Sequence, residues 1–180
     1  MKLEQAEELA NKWIDILSEY CERIEIAGGI RRRKQEPHDI EIICIPKAEE
    51  AKDMFGYVIA SKHALQFAID GLAYTGEFKK LKDGKKFKQL ELPEGITIDL
   101  FIVRPETWPV QFVIRTGPAE FSHWMVTSKK YGGAMPSNCK VRDGQVWENG
   151  KAHKFNDEAD FLNWLGLGWI EPKDRKAKTW

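Results

Sequence analysis

The stretch AGGIRRRKQEPHDIEIICIP, residues 27–46, decides the fold. It contains a glycine pair, a run of bases and an apolar segment in which Asp39 and Glu41 stand two positions apart. Side chains of a strand alternate between its faces, so both carboxylates project from one face while Ile40 and Ile42 point into a core. A glycine turn, an arginine cluster and paired carboxylates are the parts needed to hold a divalent cation and a polyphosphate together.

The glycine pair and the bases that follow it are typical of phosphate binding. Gly28 and Gly29 allow backbone N–H groups to approach a phosphate that a Cβ would obstruct. The bases over Arg31 to Lys34 can donate charge-assisted hydrogen bonds, and because not all four point inward, Arg32 is the first candidate. Each signal alone more often marks an ordinary loop or a solvent-facing pair, so the prediction rests on their combination.

A third carboxylate, Asp99, lies in a strand predicted over Ile96 to Val103. If this strand pairs beside that of Asp39 and Glu41, the three acids converge on one face, where leaving them unneutralised is costly. Mg²⁺ removes that cost, since it binds a few carboxylates together with water and substrate phosphates. Two such ions would activate an attacking hydroxyl and stabilise a pyrophosphate leaving group.

Length and composition set outer limits. The 180 residues, of 20.8 kDa, allow one hydrophobic core or a core with a small appended lobe. No apolar run approaches the roughly 20 residues that span a bilayer, and the N-terminus resembles an amphipathic helix, so no membrane association and a cytoplasmic location are expected. Three widely spaced cysteines predict neither a disulfide framework nor a zinc site. A net charge of zero argues against coating nucleic acid by bulk charge, and a monomer is expected because no apolar stripe asks for a partner.

Periodicity and turn signals predict an α+β protein. Strands are predicted over 23–27, 38–45 and 96–103, hairpins around Asp83-Gly84 and Asp143-Gly144, and helices over 3–20, 48–68, 108–114, 119–130 and 156–165. A change of composition after Arg104-Pro105 places a lobe boundary there, giving units 1–105 and 106–180. Six lysines decorate the first hairpin, which is either a solvated edge or a phosphate-contacting patch.

The order of these motifs resembles the nucleotidyltransferase palm of family X DNA polymerases, whose pattern is a Gly-Ser turn, paired arginines, an Asp-x-Asp strand and a later third Asp. In this chain the pattern is carried by Gly28-Gly29, Arg31-Arg32, Asp39-x-Glu41 and Asp99. Beyond the palm, Arg115-Thr116-Gly117 is similar to the family's aromatic-Thr-Gly turn, and Leu165-Gly166-Leu167 and Glu171-Pro172-x-x-Arg175 are similar to its C-terminal ending. The resemblance covers roughly residues 22–176, as in a minimal viral member that has only palm and thumb.

The resemblance implies a mixed-sheet palm with helices on one face, followed by a small α/β thumb lobe. It implies a template-dependent DNA polymerase that adds dNMP from a dNTP to a primer 3′ hydroxyl on primer-template or gapped DNA in repair, with Mg²⁺ or Mn²⁺. Asp39, Glu41 and Asp99 would be catalytic and hold the metal, with Asp99 nearest the primer hydroxyl. Nucleotide contacts would come from Gly28, Gly29, Arg31, Arg32, Thr116 and Gly117, and nucleic-acid contacts from Arg115, Ser122, Lys129 and Lys140.

The chain departs from the family pattern at three points. Gly29 stands where a phosphate-binding Ser is usual, so that contact must come from the backbone alone. Glu41 replaces an Asp and adds a methylene, which alters the metal geometry. Ile114-Arg115 stands where the family often has two aromatics, so sugar discrimination does not carry over. A chain of this length has no room for the lyase module of larger relatives, and no 5′-deoxyribose-phosphate lyase activity is predicted.

Two other interpretations stay open. One keeps the fold and changes the acceptor, giving a template-independent or non-DNA nucleotidyltransferase; the thumb-like ending weighs against it. The other is a non-catalytic DNA-end-binding protein on a decayed palm, which Gly29 and Glu41 favour. Retention of all three acids and of Arg32 opposes that interpretation.

Overall fold

The computed structural model describes residues 1–52, 54–55 and 58–176, and for 49–52 and 58–63 it describes the backbone alone. The helices are α1 Leu3–Ser18, α2 Gly28–Arg31, α3 Ala64–Tyr74, α4 Trp108–Thr116, α5 Ala119–Val126 and α6 Glu158–Trp164, with 3₁₀ turns at Pro105–Thr107, Lys129–Tyr131 and Pro172–Asp174. The strands are β1 Cys21–Ile26, β2 Ile40–Pro46, β3 Ala48–Lys52, β4 Val58–His63, β5 Lys79–Asp83, β6 Phe87–Glu91, β7 Thr97–Ile102, β8 Cys139–Arg142, β9 Gln145–Glu148 and β10 Lys151–Ala152. No helix within the described residues is both long and apolar enough to cross a membrane.

The first lobe is built on a five-stranded sheet of order β1-β2-β7-β6-β5. The β2–β7 pair is parallel and the other neighbours are antiparallel, so the sheet is mixed. Helices α1 and α3 cover one face, where Trp13 and Leu65 pack against Ile42 and Leu100. The α+β class and the mixed sheet predicted from the sequence are confirmed.

The opposite face of the sheet changes character along its strands. Ile43 and Ile45 of β2 and Phe101 of β7 are buried there against Trp108 and Phe112 of α4. By strand alternation, Glu41 of β2 and Asp99 of β7 lie on this same face, one step before the apolar contact. The acids therefore stand at the edge of the contact between the sheet and α4.

The second lobe packs α4, α5 and α6 around a three-stranded sheet of order β10-β9-β8. Its hairpin turns use Asp143-Gly144, with φ of 49° and 82°, and Asn149-Gly150, with φ of 47° and 81°. Both central residues of each turn have positive φ, as type I′ turns require, and such turns match the twist of the flanking strands. The hairpin predicted around Asp143-Gly144 is confirmed.

The helix predicted over residues 48–68 is wrong in its first part. Strands β3 and β4 form an antiparallel hairpin with Ala48 opposite His63, and the helix α3 starts only at Ala64. Strand pairing satisfies the same backbone groups as a helix, and the helix propensity of a short stretch is a weak preference that pairing overrides. Residues 53, 56 and 57 of that prediction lie outside the described residues.

Candidate active site on the acidic face of the sheet

Strand register brings two of the predicted acids side by side. Glu41 of β2 is the direct partner of Asp99 in the parallel β2–β7 pair. Asp39 precedes β2 by one residue and, two positions before Glu41, lies on the same side of the chain. Gln89 of β6 is the antiparallel partner of Asp99, so Glu41, Asp99 and Gln89 form a row across three strands.

Glu41 is fixed against the glycine turn. The backbone N–H of Gly29 donates to Glu41 Oε2 at 3.2 Å. Gly28 has a φ of +58°, and a Cβ built there would lie 1.6 Å from Glu41 Oε2. Burial raises the pKa of Glu41 and the charge of Asp39 adds to the rise, while the Gly29 N–H and Arg32 oppose it. Gly28 thus makes room for a carboxylate of this chain, and Gly29 binds it through its N–H.

Asp99 is held from the neighbouring antiparallel strand. The Nε2 of Gln89 donates to Asp99 Oδ1 at 2.9 Å. Burial raises the pKa of Asp99 and the charge of Asp39 raises it further, whereas the Gln89 hydrogen bond, Lys82 and Arg115 lower it. The charged forms of Glu41 and Asp99 are therefore disfavoured in this setting, and a cation placed between them would stabilise those forms.

Arg115 brings a positive charge to the acids from α4. Its guanidinium carbon lies 4.1 Å from the ring centroid of Phe101, the apolar neighbour of the acids on β7. Burial lowers the pKa of Arg115, while the charges of Glu41 and Asp99 raise it. Its buried Nε has no hydrogen-bond partner within the part of the chain that the structure describes. A guanidinium with spare donor capacity thus faces the carboxylates.

The two predicted arginines have different partners. Arg31 Nη1 donates to Thr116 Oγ1 at 2.7 Å, and both of its terminal nitrogens bond the carboxylate of Glu158, at 2.9 and 2.6 Å. Its guanidinium carbon also lies 3.8 Å from the ring centroid of Phe112. Arg32 Nη1 donates to the carbonyl oxygen of Thr116 at 2.7 Å. Both arginines therefore converge on Thr116, at the end of α4.

A buried ionic cluster joins the lobes behind Thr116. Glu158, at the start of α6, accepts from Arg31 and also from Arg175 Nη1 at 3.1 Å. Arg175 is 1% exposed, and burial lowers its pKa against the opposing charge of Glu158. One carboxylate thus balances two guanidinium groups, one from each lobe.

The remaining predicted residues lie on the second lobe. Ser122 Oγ donates to the carbonyl oxygen of Ile114 at 2.6 Å, which caps the last turn of α4. A Cβ built on Gly117 would lie 2.6 Å from Phe121 Cδ1, so the turn between α4 and α5 is tightly packed. Lys129 and Lys140 are exposed, on a 3₁₀ turn and on β8. These two lysines are on different elements from the acids.

The donor set of Asp39, Glu41 and Asp99 fits Mg²⁺ or Mn²⁺ in chemistry, since these ions take carboxylate oxygens. The raised pKa values of two of the acids show that their charge lacks full compensation within the protein. The carboxylate oxygens of these three acids do not all lie within 4.8 Å of one another. Among the described residues, that criterion is met by a different group, Cys139, Glu148 and His153. In this arrangement one oxygen of Glu41 accepts from Gly29 N–H and one oxygen of Asp99 accepts from Gln89 Nε2.

Sequence reasoning missed four residues of this region: Gln89, Lys82, Glu158 and Arg175. The first two lie in the predicted lysine hairpin, where alternation alone does not give the cross-strand register that sets Gln89 against Asp99. Arg175 was part of a motif similar to the family ending, and Glu158 lay in a predicted helix. Their pairing is a long-range contact without a local signal.

The mixed sheet with a helical lobe against one face is a polymerase beta-like fold. Two solved structures of Leishmania infantum polymerase beta are similar to this chain. The ternary gap complex has a TM-score of 0.75 at 12% identity, over 98% of this chain and 70% of that one. The ternary P/T complex has a TM-score of 0.71 at 13% identity, over 98% and 76%. Neither family models nor curated proteins give a match, so the likeness is one of fold.

Proposed function

We propose that the protein is a template-dependent DNA polymerase that adds one dNMP at a time to a primer 3′ hydroxyl and fills gaps in DNA. The observation that carries this proposal is the parallel pairing of Glu41 with Asp99, with Asp39 on the same face. The fold likeness to a polymerase beta solved as a ternary gap complex supports it. We further propose residues 1–105 as the palm and 106–180 as the thumb.

In this proposal Asp39, Glu41 and Asp99 hold Mg²⁺, or Mn²⁺ in its place. The bound ions would lower the pKa of the primer hydroxyl and neutralise charge on the pyrophosphate. The primer 3′ oxygen forms a bond to the α-phosphorus, the bond to pyrophosphate breaks, and the hydroxyl proton leaves toward Asp99.

Arg31 and Arg32 have different roles in nucleotide binding in this proposal. Arg32, half-buried and with Nη1 on the Thr116 carbonyl, contacts the triphosphate through its remaining donors. The backbone of Gly28 and Gly29 contacts it as well, which requires the Gly29 N–H to leave Glu41 Oε2. Arg31 positions Thr116 and does not contact the nucleotide itself, because its donors are bonded to Thr116 and Glu158. Thr116 and Gly117 border the sugar. The nucleic acid is contacted by Arg115, Ser122, Lys129 and Lys140.

The experiment is extension of a labelled primer on a one-nucleotide gap by the full chain with Mg²⁺. Each of the four dNTPs and four NTPs is supplied separately, with an untemplated primer alongside. We expect incorporation of the dNTP complementary to the template base and none on the single strand. Addition to the untemplated primer would favour the template-independent enzyme, and no addition with either Mg²⁺ or Mn²⁺ would overturn the proposal.

A non-catalytic DNA-end-binding protein is the second candidate. The observation that favours it is the hydrogen bond from Gly29 N–H to Glu41 Oε2, which turns this carboxylate away from a shared metal. Gel shifts with gapped DNA distinguish the two. Binding without turnover, unchanged in Asp39→Ala, supports the binding protein, whereas turnover that Asp39→Ala abolishes excludes it.

A further inference from the structure

Three metal-ligand side chains meet at one end of the second-lobe sheet. Cys139 of β8 is the direct cross-strand partner of Glu148 of β9. His153 follows β10, where its backbone N–H donates to Val146 and its Nε2 lies 2.9 Å from Glu148 Oε2. One ligand atom from each of the three lies within 4.8 Å of the other two. The three residues belong to the three-stranded sheet and its flank, whereas the acidic face belongs to the five-stranded sheet.

An ordinary His–Glu ion pair accounts for only part of this arrangement. Cys139 is 7% exposed, and its sulfur has a long contact of 3.7 Å with Asn138 Oδ1. The same Asn138 donates from Nδ2 to Glu148 Oε1, so the sulfur and the carboxylate lie beside one shared amide. A cation between sulfur, carboxylate and imidazole would make all three contacts favourable.

We propose that Cys139, Glu148 and His153 bind one Zn²⁺ ion that clamps the three-stranded sheet of the second lobe. A sulfur, a nitrogen and a carboxylate oxygen are the ligands of zinc sites, whereas Mg²⁺ takes oxygen alone. The thiol proton passes to solvent as the ion binds. The inference is independent of the proposed polymerase activity, because none of the three residues belongs to the acidic face.

The geometry is close to what zinc requires. Bonds of about 2.3 Å to sulfur and about 2.0–2.1 Å to nitrogen or oxygen place tetrahedral ligand atoms about 3.3–3.6 Å apart. The present separations, 2.9 Å for His153 to Glu148 and at most 4.8 Å for the others, need side-chain shifts of about 1 Å. A water molecule would complete the four ligands, since the exposed Asn138 already donates from Nδ2 to Glu148 Oε1 and accepts from Cys139 Sγ at Oδ1. The sequence-based prediction of no zinc site rested on cysteine spacing, which gives no signal for a cluster that mixes three residue types.

The test is titration of the full chain with Co²⁺, which substitutes for Zn²⁺ and gives an absorption spectrum. We expect a thiolate-to-cobalt charge-transfer band in the near ultraviolet that saturates at one equivalent and disappears when Zn²⁺ is added. Trp164 is a second reporter, since its ring centroid lies 4.9 Å from that of His153, and its fluorescence should change in the same titration.

Matched variants assign the band. Cys139→Ser and His153→Gln should each weaken Co²⁺ binding at least 10-fold, and circular dichroism shows whether they fold. Cys21→Ser, which removes a cysteine of equal burial in the first lobe, should leave the band unchanged. Asp99→Asn should also leave it unchanged, which separates this site from the acidic face. Absence of the band in the wild type, or its survival in Cys139→Ser, would overturn the proposal.

Discussion

Gly28 and Glu41 constrain each other at the scale of single residues. Gly28 takes a positive φ of 58° that L-residues avoid, and the space where its Cβ would stand is filled by the Glu41 carboxylate. The longer reach of Glu, compared with Asp, lets the carboxylate meet the Gly29 N–H. The departure at Glu41 and the absence of a side chain at Gly28 are therefore parts of one local arrangement.

Substitution of Gly28 by Ala tests this arrangement. We expect Gly28→Ala to lower the free energy of unfolding by about 3 kcal/mol, because backbone strain adds to the loss of a hydrogen bond to a charged group. Gly76→Ala is the matched control, since Gly76 has a φ of +85° and open space around it. The control should cost about 1 kcal/mol. Equal losses in urea melts of the two variants would contradict the account.

At the scale of elements, the lysine hairpin of β5 and β6 contains lysines that are bonded within the protein. Lys88 is 2% exposed and donates to Gln66 and to Asp83, while Lys80 bonds Asp70 and Asp83. These two lysines are structural, which neither the solvated-edge nor the phosphate-patch interpretation anticipated. The hydrogen bond from Lys88 lowers the pKa of Asp83 to about 2, with Lys80 acting in the same direction.

This hairpin should make stability depend on pH in the acid range. A carboxyl whose pKa falls on folding stabilises the folded state above its unfolded pKa of 3.8, and this contribution is lost as pH falls toward about 2. Because Asp83 is about a third exposed, we expect at most about 1 kcal/mol from this effect.

Unfolding of wild type and of Asp83→Asn, followed between pH 5 and about 2, measures the effect. The stability difference between the two proteins should shrink by about 1 kcal/mol over that interval. Asp143→Asn, in the other hairpin turn, controls for loss of an exposed carboxylate. A difference that stays constant with pH would show that Asp83 carries no linked protonation.

Elements with local signals were predictable and pairings were not. Alternation located β2 and β7, and the Asp-Gly pairs located two turns, because these features follow from the residues themselves. The residues of the β3–β4 hairpin have a local pattern that predicts a helix, because the pairing of the two strands leaves no signal in the sequence. Likewise the sequence proposed the three acids, but only the register shows that Glu41 faces Gly29 and Asp99 faces Gln89.

On the scale of the whole molecule, an apolar cluster and an ionic cluster are among the contacts that join the two lobes. Trp108 and Phe112 of α4 pack on Ile43 and Phe101 of the sheet. Beside them, Glu158 balances Arg31 of the first lobe and Arg175 of the second. Removal of one member of a buried ionic cluster leaves the others uncompensated, which costs more than the cluster contributes net.

Glu158→Gln should therefore destabilise the protein strongly. We expect a loss of about 3 kcal/mol in the free energy of unfolding, because two guanidinium groups lose their counter-charge. The control is Glu120→Gln on the exposed side of α5, which should change stability by less than about 0.5 kcal/mol. Urea melts of the two variants measure these losses, and similar midpoints would mean that the cluster does not stabilise the folded protein.

The central claim is that the acidic face transfers nucleotides, and single-turnover incorporation of one dNMP into gapped DNA tests it most directly. The wild type should incorporate the templated dNMP with Mg²⁺, and Asp99→Asn, which keeps the shape of the side chain, should slow this step at least about 100-fold. Asp15→Asn, an exposed acid of α1, should match the wild type. Equal rates for Asp99→Asn and the wild type, or no incorporation by either, would contradict the account.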